Sequence, residues 1–479
     1  MTPRMASHLR PQARFCRCRC LSIALAAFLT ACTSAPLPST GQLPETVPAQ
    51  WSAGAASAAN APTDLATWWL RFDDPALAAL VAQALGENTD LKSAQAALRQ
   101  ARALAEVQQA RLGPSLNLSG SAQRSDTGST DASNAFKASA GASWEPDLFG
   151  GNSASAHASE TDALASAANL SQVQVSLAAE VASSYINLRG LQARLTIARS
   201  NLASQAETLQ ITRWRAQAGL TSSLDVEQAV SATEQTQAQI PSLQSSMDQS
   251  LNALAVLTGQ APGALKATLN DAAPIPTAPA DLALAFPVDT LRQRSDVRAA
   301  EWRVHSALSR LAAADAARYP SFNLSGSIGL SSLTLGTLTQ GASVVRSLLA
   351  SVSMPLLDGG ATQAQVRAQE AALDQARAAY QGVVLAALQD VEDALIGIQG
   401  DSERLVRLQA AAEAAANAEL LARQRFESGL IDFATVLTTQ RTLLSAQDSV
   451  ASTQASLSAN HVRLYKALGG GWRPDAGPR

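Results

Sequence analysis

Hydrophobic residues follow two different spacings along this chain of 479 residues, one typical of long helices and the other of short strands. The helical spacing occupies two stretches without proline, from Gly151 to Gly219 and from Gly360 to Gly429. In both stretches an apolar side chain returns every seventh residue, a pattern typical of coiled helices. A helix of about 67 residues would be roughly 100 Å long. The repeating positions are Val181, Leu188, Leu195, Leu202 and Leu209, then Val384, Val391, Ile398 and Leu405.

Helix-weakening residues stand inside these stretches and inside the helix predicted to follow the first of them. We expect the glycines to interrupt the long helices, because glycine loses the most backbone freedom in a helix, and the proline to bend the following helix, because it removes a backbone donor. The residues concerned are Gly190, Gly382, Gly397, Gly400 and Pro241.

The second spacing is an alternation of apolar residues with small or polar ones in four segments of about ten residues. This length and alternation fit tilted strands that cross an outer membrane, with the apolar face towards lipid and the polar face towards a wet interior. Taken singly, each segment also fits the edge of a soluble sandwich. Polar loops at 126–134 and about 332–341 would join the strands of each pair outside the cell. The apolar positions are Leu116, Leu118, Gly120 and Ala122; Phe136, Ala138, Ala140, Ala142 and Trp144; Phe322, Leu324, Gly326, Ile328 and Leu330; and Leu348, Ala350, Val352 and Met354.

The chain repeats its own plan at an offset of about 206 to 210 residues, as expected for an internal duplication. The segment 110–121 reappears at 317–327, and Gly219-Leu220 reappears as Gly429-Leu430. We therefore predict a signal peptide at 1–31, a lipidated tether at 32–63, a first repeat at 64–258, a linker at 259–289, a second repeat at 290–472 and a tail at 473–479.

The predicted fold class is mainly α with a membrane β-barrel contribution, built from two tandem repeats of long coiled helices with two strands each. Four strands cannot close a barrel, and an open sheet edge in hydrocarbon leaves backbone groups unpaired at several kcal/mol each. Three copies would supply twelve strands, enough for an aqueous lumen. We therefore expect a homotrimer in which a 12-strand β-barrel continues into an α-barrel.

The N-terminus carries the signals of export and lipid anchoring. Five arginines and no acidic residue precede the apolar run 21–28, which is too short to span a bilayer. Leu29-Thr30-Ala31-Cys32 resembles a bacterial lipobox, which implies cleavage before Cys32 and acylation of that residue. Thr33, in place of an inner-membrane retention signal, points to the outer membrane. The alternative is an ordinary signal peptide with an incidental cysteine.

The charge balance and the reactive residues argue against several classes of function. The 36 basic and 39 acidic residues nearly cancel, so nothing favours nucleic acid as a partner. All four cysteines lie within the first 32 residues, and the cluster Cys16, Cys18 and Cys20 falls in the segment predicted to be removed. The four histidines show no metal spacing, and no nucleophile or phosphate-binding motif occurs. We expect no enzyme activity, no catalytic residue, no metal and no cofactor.

The whole chain after the signal resembles the outer-membrane efflux proteins of the TolC and OprM type, in particular their NodT lipoprotein branch. This resemblance implies a lipid-anchored, membrane-spanning homotrimer in the outer membrane with a long periplasmic part. It also implies a passive duct that receives drugs or other small molecules from an inner-membrane pump of the RND type through a periplasmic adaptor, or membrane fusion, protein. The segments that carry the resemblance are Trp68-Trp69 with Phe72-Asp73, the paired Pro-Ser-x-Asn-Leu-Ser-Gly strand starts, Pro146 to Gly150 with Pro355 to Gly360, Ser295 to Glu301, and Leu464 to Trp472.

The resemblance also assigns roles to the turns between the long helices. These turns correspond to periplasmic tips where adaptor hairpins dock and the inner mouth narrows, although glycine is also expected there for the turn itself. The predicted docking residues are Gly219, Leu220, Thr221, Ser222, Gly429 and Leu430.

The inner mouth departs from the family pattern. Relatives commonly carry Leu-Asp-Ala-Gln after the second tip, whereas this chain reads Leu-Thr-Thr-Gln with Thr438 at the Asp position. Asp225 or Asp432 could supply the acidic ring instead, Phe433 could close the mouth by bulk, and Arg441 matches a family arginine. Each of these could equally be a solvated or packed tip residue. The rival hypothesis for the whole protein is a structural lipoprotein that bridges the periplasm without conducting.

Overall fold

The computed structural model describes residues 48, 51, 65–126, 128, 132–279 and 287–470. The predicted signal peptide, the lipidation site Cys32 and the tail 473–479 lie outside these described residues. The chain divides into two compact units. The β unit contains Arg111–Ala154 and Ala312–Val366, and the helical unit falls within Leu43–Ala110, Ser155–Leu311 and Arg367–Arg479. Each predicted repeat contributes to both units.

The β unit holds one antiparallel sheet of four strands in the order β1-β2-β3-β4. The strands are β1 (Ser115–Ser125), β2 (Ser133–Trp144), β3 (Ser321–Ser332) and β4 (Val344–Ser353). Two short 3-10 turns, Leu335–Thr337 and Gly341–Ser343, lie between β3 and β4. Pairing of β2 with β3 joins the two repeats in one sheet and leaves β1 and β4 as its edges. The four predicted strands are confirmed.

The helices repeat element for element. The first half and the second half each contain a helix of 22 residues, one of 67 and one of 35. None of the helices in the described part of the chain is both long and apolar enough to cross a membrane. After a 3-10 segment at Leu65–Phe72, the helices are α1 (Pro75–Glu87), α2 (Thr89–Ala110), α3 (Gly151–Gln217), α4 (Ser223–Leu257), α5 (Lys266–Leu269), α6 (Pro287–Gln293), α7 (Ser295–Ala316), α8 (Ala361–Glu427) and α9 (Phe433–Ala467).

An acid-capped turn leads from the second strand of each pair into the long helix. Asp147 accepts hydrogen bonds from the backbone N–H of Asn152 and Ser153, at 3.3 and 2.6 Å. Asp358 accepts from the backbone N–H of Gly360 and Thr362, both at 2.8 Å. Carboxylates satisfy the unpaired donors of a helix N-terminus in this way. This explains why an Asp-containing, glycine-ending motif recurs in both halves.

The largest core of the helical unit joins the beginning and the end of the described chain. Trp68 is fully buried and stacks on Tyr465 with ring centroids 5.2 Å apart. Val181, Leu188 and Leu195 of the first-half heptad belong to this core, and the first two are fully buried, whereas Leu209 lies in a separate buried cluster. In the second half Val384 and Val391 are buried, while Ile398 and Leu405 are half-buried. The heptad pattern therefore marks real packing positions.

The glycines do not interrupt the long helices, so that prediction is wrong. Helices α3 and α8 each run without a break through 67 residues. A Cβ on Gly190 would stand 2.9 Å from the Cβ of Ala455, and one on Gly397 would stand 2.9 Å from the Asn460 side chain. These two glycines therefore allow neighbouring helices to approach closely. Helix α4 likewise continues through Pro241.

Candidate functional site

The sheet presents one apolar and one polar face, and the register determines which residue lies on which. Leu118 pairs with Ala140, Ala140 with Ile328, and Ile328 with Arg346, so these side chains share a face. Ser119, Ser139 and Ser327 lie on the other face, where the Ser119 and Ser139 hydroxyls are 3.0 Å apart. The apolar and polar faces predicted from the alternation are therefore present across β1, β2 and β3, whereas β4 adds Val345 and Leu349 to the polar face.

The two edge strands carry the most exposed leucines of the sheet. Leu118 on β1 is 85% exposed and Leu348 on β4 is 80% exposed. Each edge strand also has only one neighbour in the described sheet. Large exposed apolar side chains together with unpaired strand edges are characteristic of a surface that is covered by lipid or by another chain.

Lys137 is a candidate site residue that our sequence reasoning missed. It pairs with Ser121 on β1 and with Ser331 on β3, on the polar face of the sheet. Among the residues of the four strands it is the only charged side chain on that face. The sequence alone could have placed Lys137 on the polar face, because it lies between Phe136 and Ala138, which alternation assigns to the apolar face. A lone cation among serines sets the sign of the electrostatic potential on this face.

The two tips between the long helices are built alike. At the first tip the Gly219 N–H donates to the Ala216 carbonyl and the Leu220 N–H to the Arg215 carbonyl. At the second tip the Gly429 N–H donates to the Phe426 carbonyl and the Leu430 N–H to the Arg425 carbonyl. Gly219 and Gly429 have positive φ angles of 72° and 73°, which glycine adopts without strain. Leu220 and Leu430 follow them with 69% and 73% of their surface exposed. Each tip thus projects one apolar side chain.

The acidic candidates at the tips are helix caps. Ser222 is the N-cap of α4 and forms a reciprocal capping box with Asp225, and the Thr221 hydroxyl also donates to the Asp225 carboxylate. Asp432 is the N-cap of α9 and accepts a hydrogen bond from the Thr435 N–H at 3.0 Å. In the described residues no group of three or more His, Cys, Asp and Glu side chains is arranged to hold a metal ion.

Hydrogen bonding lowers the pKa of both capping carboxylates below the ordinary value. The Thr221 hydroxyl is the largest cause for Asp225, followed by Ser222. For Asp432 the Thr435 hydroxyl and N–H lower the pKa, while repulsion from Asp225 raises it slightly. Asp225 is therefore one of the charges that act on Asp432.

The other aperture candidates occupy different environments. Phe433 is only 3% exposed and packs edge-on against Phe426, with ring centroids 5.8 Å apart. Its ring lies in a buried cluster within one chain. We therefore propose that Phe433 packs this cluster and does not close the periplasmic mouth. Thr438 and Arg441 are exposed on α9, and the Thr438 hydroxyl donates to the Ala434 carbonyl at 2.8 Å.

Arg215 is a second residue that sequence reasoning missed, and it connects the two tips. Its guanidinium lies 4.5 Å from the centre of the Phe426 ring and donates a hydrogen bond to the Phe426 carbonyl. Phe426 belongs to a buried cluster to which α3, α4, α8 and α9 all contribute. The contact spans 211 residues of sequence. Nothing local in the sequence marks it.

Acidification is expected to loosen the first turns of α4 and α9. The folded pKa values of Asp225 and Asp432 lie below the ordinary 3.8, so the caps stabilise fully above that pH and are lost as the pH falls through the folded values. Hydrogen exchange at the amides of Asp225 and Thr435, corrected for intrinsic rates, should accelerate below about pH 4. Asp432→Asn keeps a capping oxygen that does not titrate, so its α9 amides should stay protected. Equal acceleration in that variant would contradict this account.

Comparison with known proteins shows similarity over nearly the whole chain. The family model for outer membrane efflux proteins matches residues 80–260 and 286–470. The toluene efflux pump outer membrane protein TtgC of Pseudomonas putida is 32% identical over 473 residues, 95% of this chain and 96% of the relative. The pyoverdine export outer membrane protein OpmQ of Pseudomonas aeruginosa is 32% identical over 461 residues, 93% of this chain and 95% of the relative. The structure of the outer-membrane channel OprN has a TM-score of 0.85 and 34% identity over 90% of this chain and 98% of that one.

Proposed function

This chain belongs to the outer membrane efflux protein family, and from that premise we propose a mechanism for it as a homotrimeric conduit. It is an outer-membrane channel of an efflux system and not an enzyme. We propose that the mature chain begins at a lipidated Cys32 and that its domains have the boundaries predicted from the repeat.

The observation that carries the homotrimer is a sheet with two open edges and one continuous apolar face. In hydrocarbon each unpaired N–H or C=O on β1 and β4 costs several kcal/mol, because lipid offers no hydrogen-bond partner. Joining β4 of one copy to β1 of the next removes every such edge when three copies close a ring of twelve strands. The apolar face then contacts lipid and the polar face surrounds water.

Conduction through this assembly is passive. Its lumen in the membrane would be surrounded mainly by serines, with Lys137, Val345 and Leu349 on the same face, and such a mixed surface binds no solute class tightly, so selectivity among solutes would be weak. TtgC is named for toluene and OpmQ for pyoverdine, and we propose that this chain likewise passes small molecules delivered by an inner-membrane pump. We propose a pump of the RND type.

We propose that the tips dock the periplasmic adaptor protein. The docking surface comprises Gly219, Leu220, Thr221, Ser222, Gly429 and Leu430. Two exposed leucines on tight, capped turns offer apolar anchors on a rigid backbone, which suits contact with a helical hairpin. Behind them, Asp225, Asp432, Thr438 and Arg441 would surround the periplasmic mouth of the trimer, where Asp225 and Asp432 supply negative charge.

The homotrimer is tested by cross-linking across the proposed subunit boundary. Ala122→Cys and Leu348→Cys place thiols on the apolar face of the two edge strands, each two residues from an arginine near the hairpin end. Full-length protein with both substitutions, treated in membranes with a bismaleimide of about 10 Å, should yield covalent trimers. The single variant Ala122→Cys serves as the control and should stay monomeric on a denaturing gel. A ladder that ends at dimers, or extends beyond trimers, would refute three-fold closure.

Replacing both tip leucines is expected to stop efflux without closing the channel. Leu220→Asp with Leu430→Asp removes the apolar anchors and buries a charge at each, and loss of a central anchor of an interface costs about 2 kcal/mol of binding free energy. Cells that depend on this channel should lose drug resistance, while purified variant protein in a planar bilayer should carry the same ion current as the parent. Leu224→Asp, an exposed leucine just inside α4, is the matched control. Full resistance in the double variant would exclude docking at these residues.

A further inference from the structure

Two arginines stand on the otherwise apolar face of the sheet. Arg124 on β1 pairs with Asn134, and Arg346 on β4 pairs with Ile328. Arg124 is an even number of residues from Leu118 on β1, and Arg346 an even number from Leu348 on β4. Because side chains alternate along a strand, the arginines lie on the same face as these leucines. Within the four strands, Arg124 and Arg346 are the only charged side chains on this face. Both are exposed, and no ion pair is formed by either among the described residues.

Both arginines lie near the hairpin ends of their strands. Arg124 is one residue from the end of β1 (Ser115–Ser125), and Arg346 is two residues from the start of β4 (Val344–Ser353). At about 3.3 Å per residue both are within side-chain reach of the strand end. The opposite ends of these strands, which continue into helices, carry Leu116 and Val352 on the same face. An arginine facing lipid costs about 2–4 kcal/mol at the bilayer midplane but about 0–1 near its surface, so these positions lie at the headgroup level.

The two arginines also occupy the two edges of the sheet. When β4 of one copy joins β1 of the next, Arg346 and Arg124 lie on neighbouring strands, on the same face and at the same end. This step rests on the homotrimer of the proposed function. Two guanidinium groups brought together in a medium of low dielectric repel each other unless an anion lies between them.

We propose that Arg124 and Arg346 of adjoining copies bind the phosphate groups of outer-leaflet lipids, one site at each subunit boundary. Guanidinium groups bind phosphate through paired, charge-assisted hydrogen bonds. The ligand is a lipid and not free phosphate, because the nearest side chains on this face include Ala122 beside Arg124, and Ile328 and Leu348 beside Arg346, which contact acyl chains. Such a lipid adheres to both copies and so stabilises the closed ring.

Native mass spectrometry of the full-length trimer with added bis-phosphorylated lipid A tests the site. The wild-type trimer should retain up to three lipids, and Arg124→Gln with Arg346→Gln should weaken retention at least about tenfold. Each single variant should give an intermediate loss. Lys137→Gln, which removes a cation from the polar face, is the matched control and should retain lipid like the wild type. Lipid A without phosphates should bind the wild type as weakly as the double variant binds the phosphorylated form.

Three results would overturn the proposal. Equal retention by the double variant would show that the arginines do not bind the lipid. Competition by inorganic phosphate at concentrations similar to those of lipid A would make this a free-anion site. A monomeric mass would overturn the homotrimer together with the boundary site, whereas intact trimers that retain no phosphorylated lipid would overturn the site alone.

Discussion

Lys137→Glu is expected to change the ion preference of the open channel from anions to cations. Lys137 is the one charged side chain on the polar face of the four strands, so three copies would place three positive charges around the lumen at one level. Unit charges about 10 Å from the channel axis act within one Debye length at 0.1 M salt. Reversing all three should lower the ratio of chloride to potassium permeability by roughly tenfold.

The measurement is the reversal potential in a planar bilayer under a potassium chloride gradient. The shift should shrink at 1 M salt, where the Debye length is only about 3 Å. Arg346→Gln is the matched control, because it removes a cation from the same sheet but from the lipid-facing side, and its reversal potential should equal that of the parent. If Lys137→Glu leaves the potential unchanged, the polar face of this sheet does not surround the conducting path.

Trp68→Ala is expected to cause the largest loss of stability in the helical unit. Trp68 is 0% exposed, stacks on Tyr465 and contacts Phe72 edge-on with centroids 6.1 Å apart. Truncating a buried tryptophan to alanine typically costs about 3–5 kcal/mol, since it removes the buried ring and leaves a cavity. The midpoint of thermal unfolding of the purified protein in detergent should fall by several degrees.

Two further variants separate packing from hydrogen bonding at this position. Among the described residues the Trp68 Nε1 has no hydrogen-bond partner, so Trp68→Phe removes an unsatisfied donor while it keeps an aromatic ring. Its loss of stability should be well below that of Trp68→Ala. Trp69→Ala, at a half-buried neighbour, should cost about 1 kcal/mol. If Trp68→Ala and Trp69→Ala lower the free energy of unfolding equally, the stack of Trp68 on Tyr465 does not stabilise this core.

Much of the fold was predictable because its signals are local. Alternation of side chains depends only on residue parity, so the faces of all four strands could be assigned before any pairing was known. Gly219 and Gly429 end their helices because each turn requires a positive φ. The family, the efflux function and the outer-membrane location were likewise predicted and are confirmed. The docking and aperture assignments and the lipidation of Cys32 stay predictions.

The prediction about glycine failed because the sequence pattern has two meanings. Glycine inside a helix marks either a weak point or a close contact, and Gly190 and Gly397 are close contacts. An aspartate near a tip likewise fits an aperture charge or a helix cap; Asp225 and Asp432 are caps, and their role at the aperture stays a prediction. Composition and spacing cannot separate these meanings, because the deciding neighbour lies on another helix.

By itself the sequence determined the repeat, the type and length of its elements, and the apolar and polar faces of the strands. Those properties follow from backbone preferences and from periodic burial, which act between residues close together in the chain. Only the tertiary structure decided that Tyr465 covers Trp68, that Arg215 connects the two tips, and that β2 pairs with β3. Such contacts join residues hundreds of positions apart, and they form only when several helices and strands pack at once, so no local pattern records them.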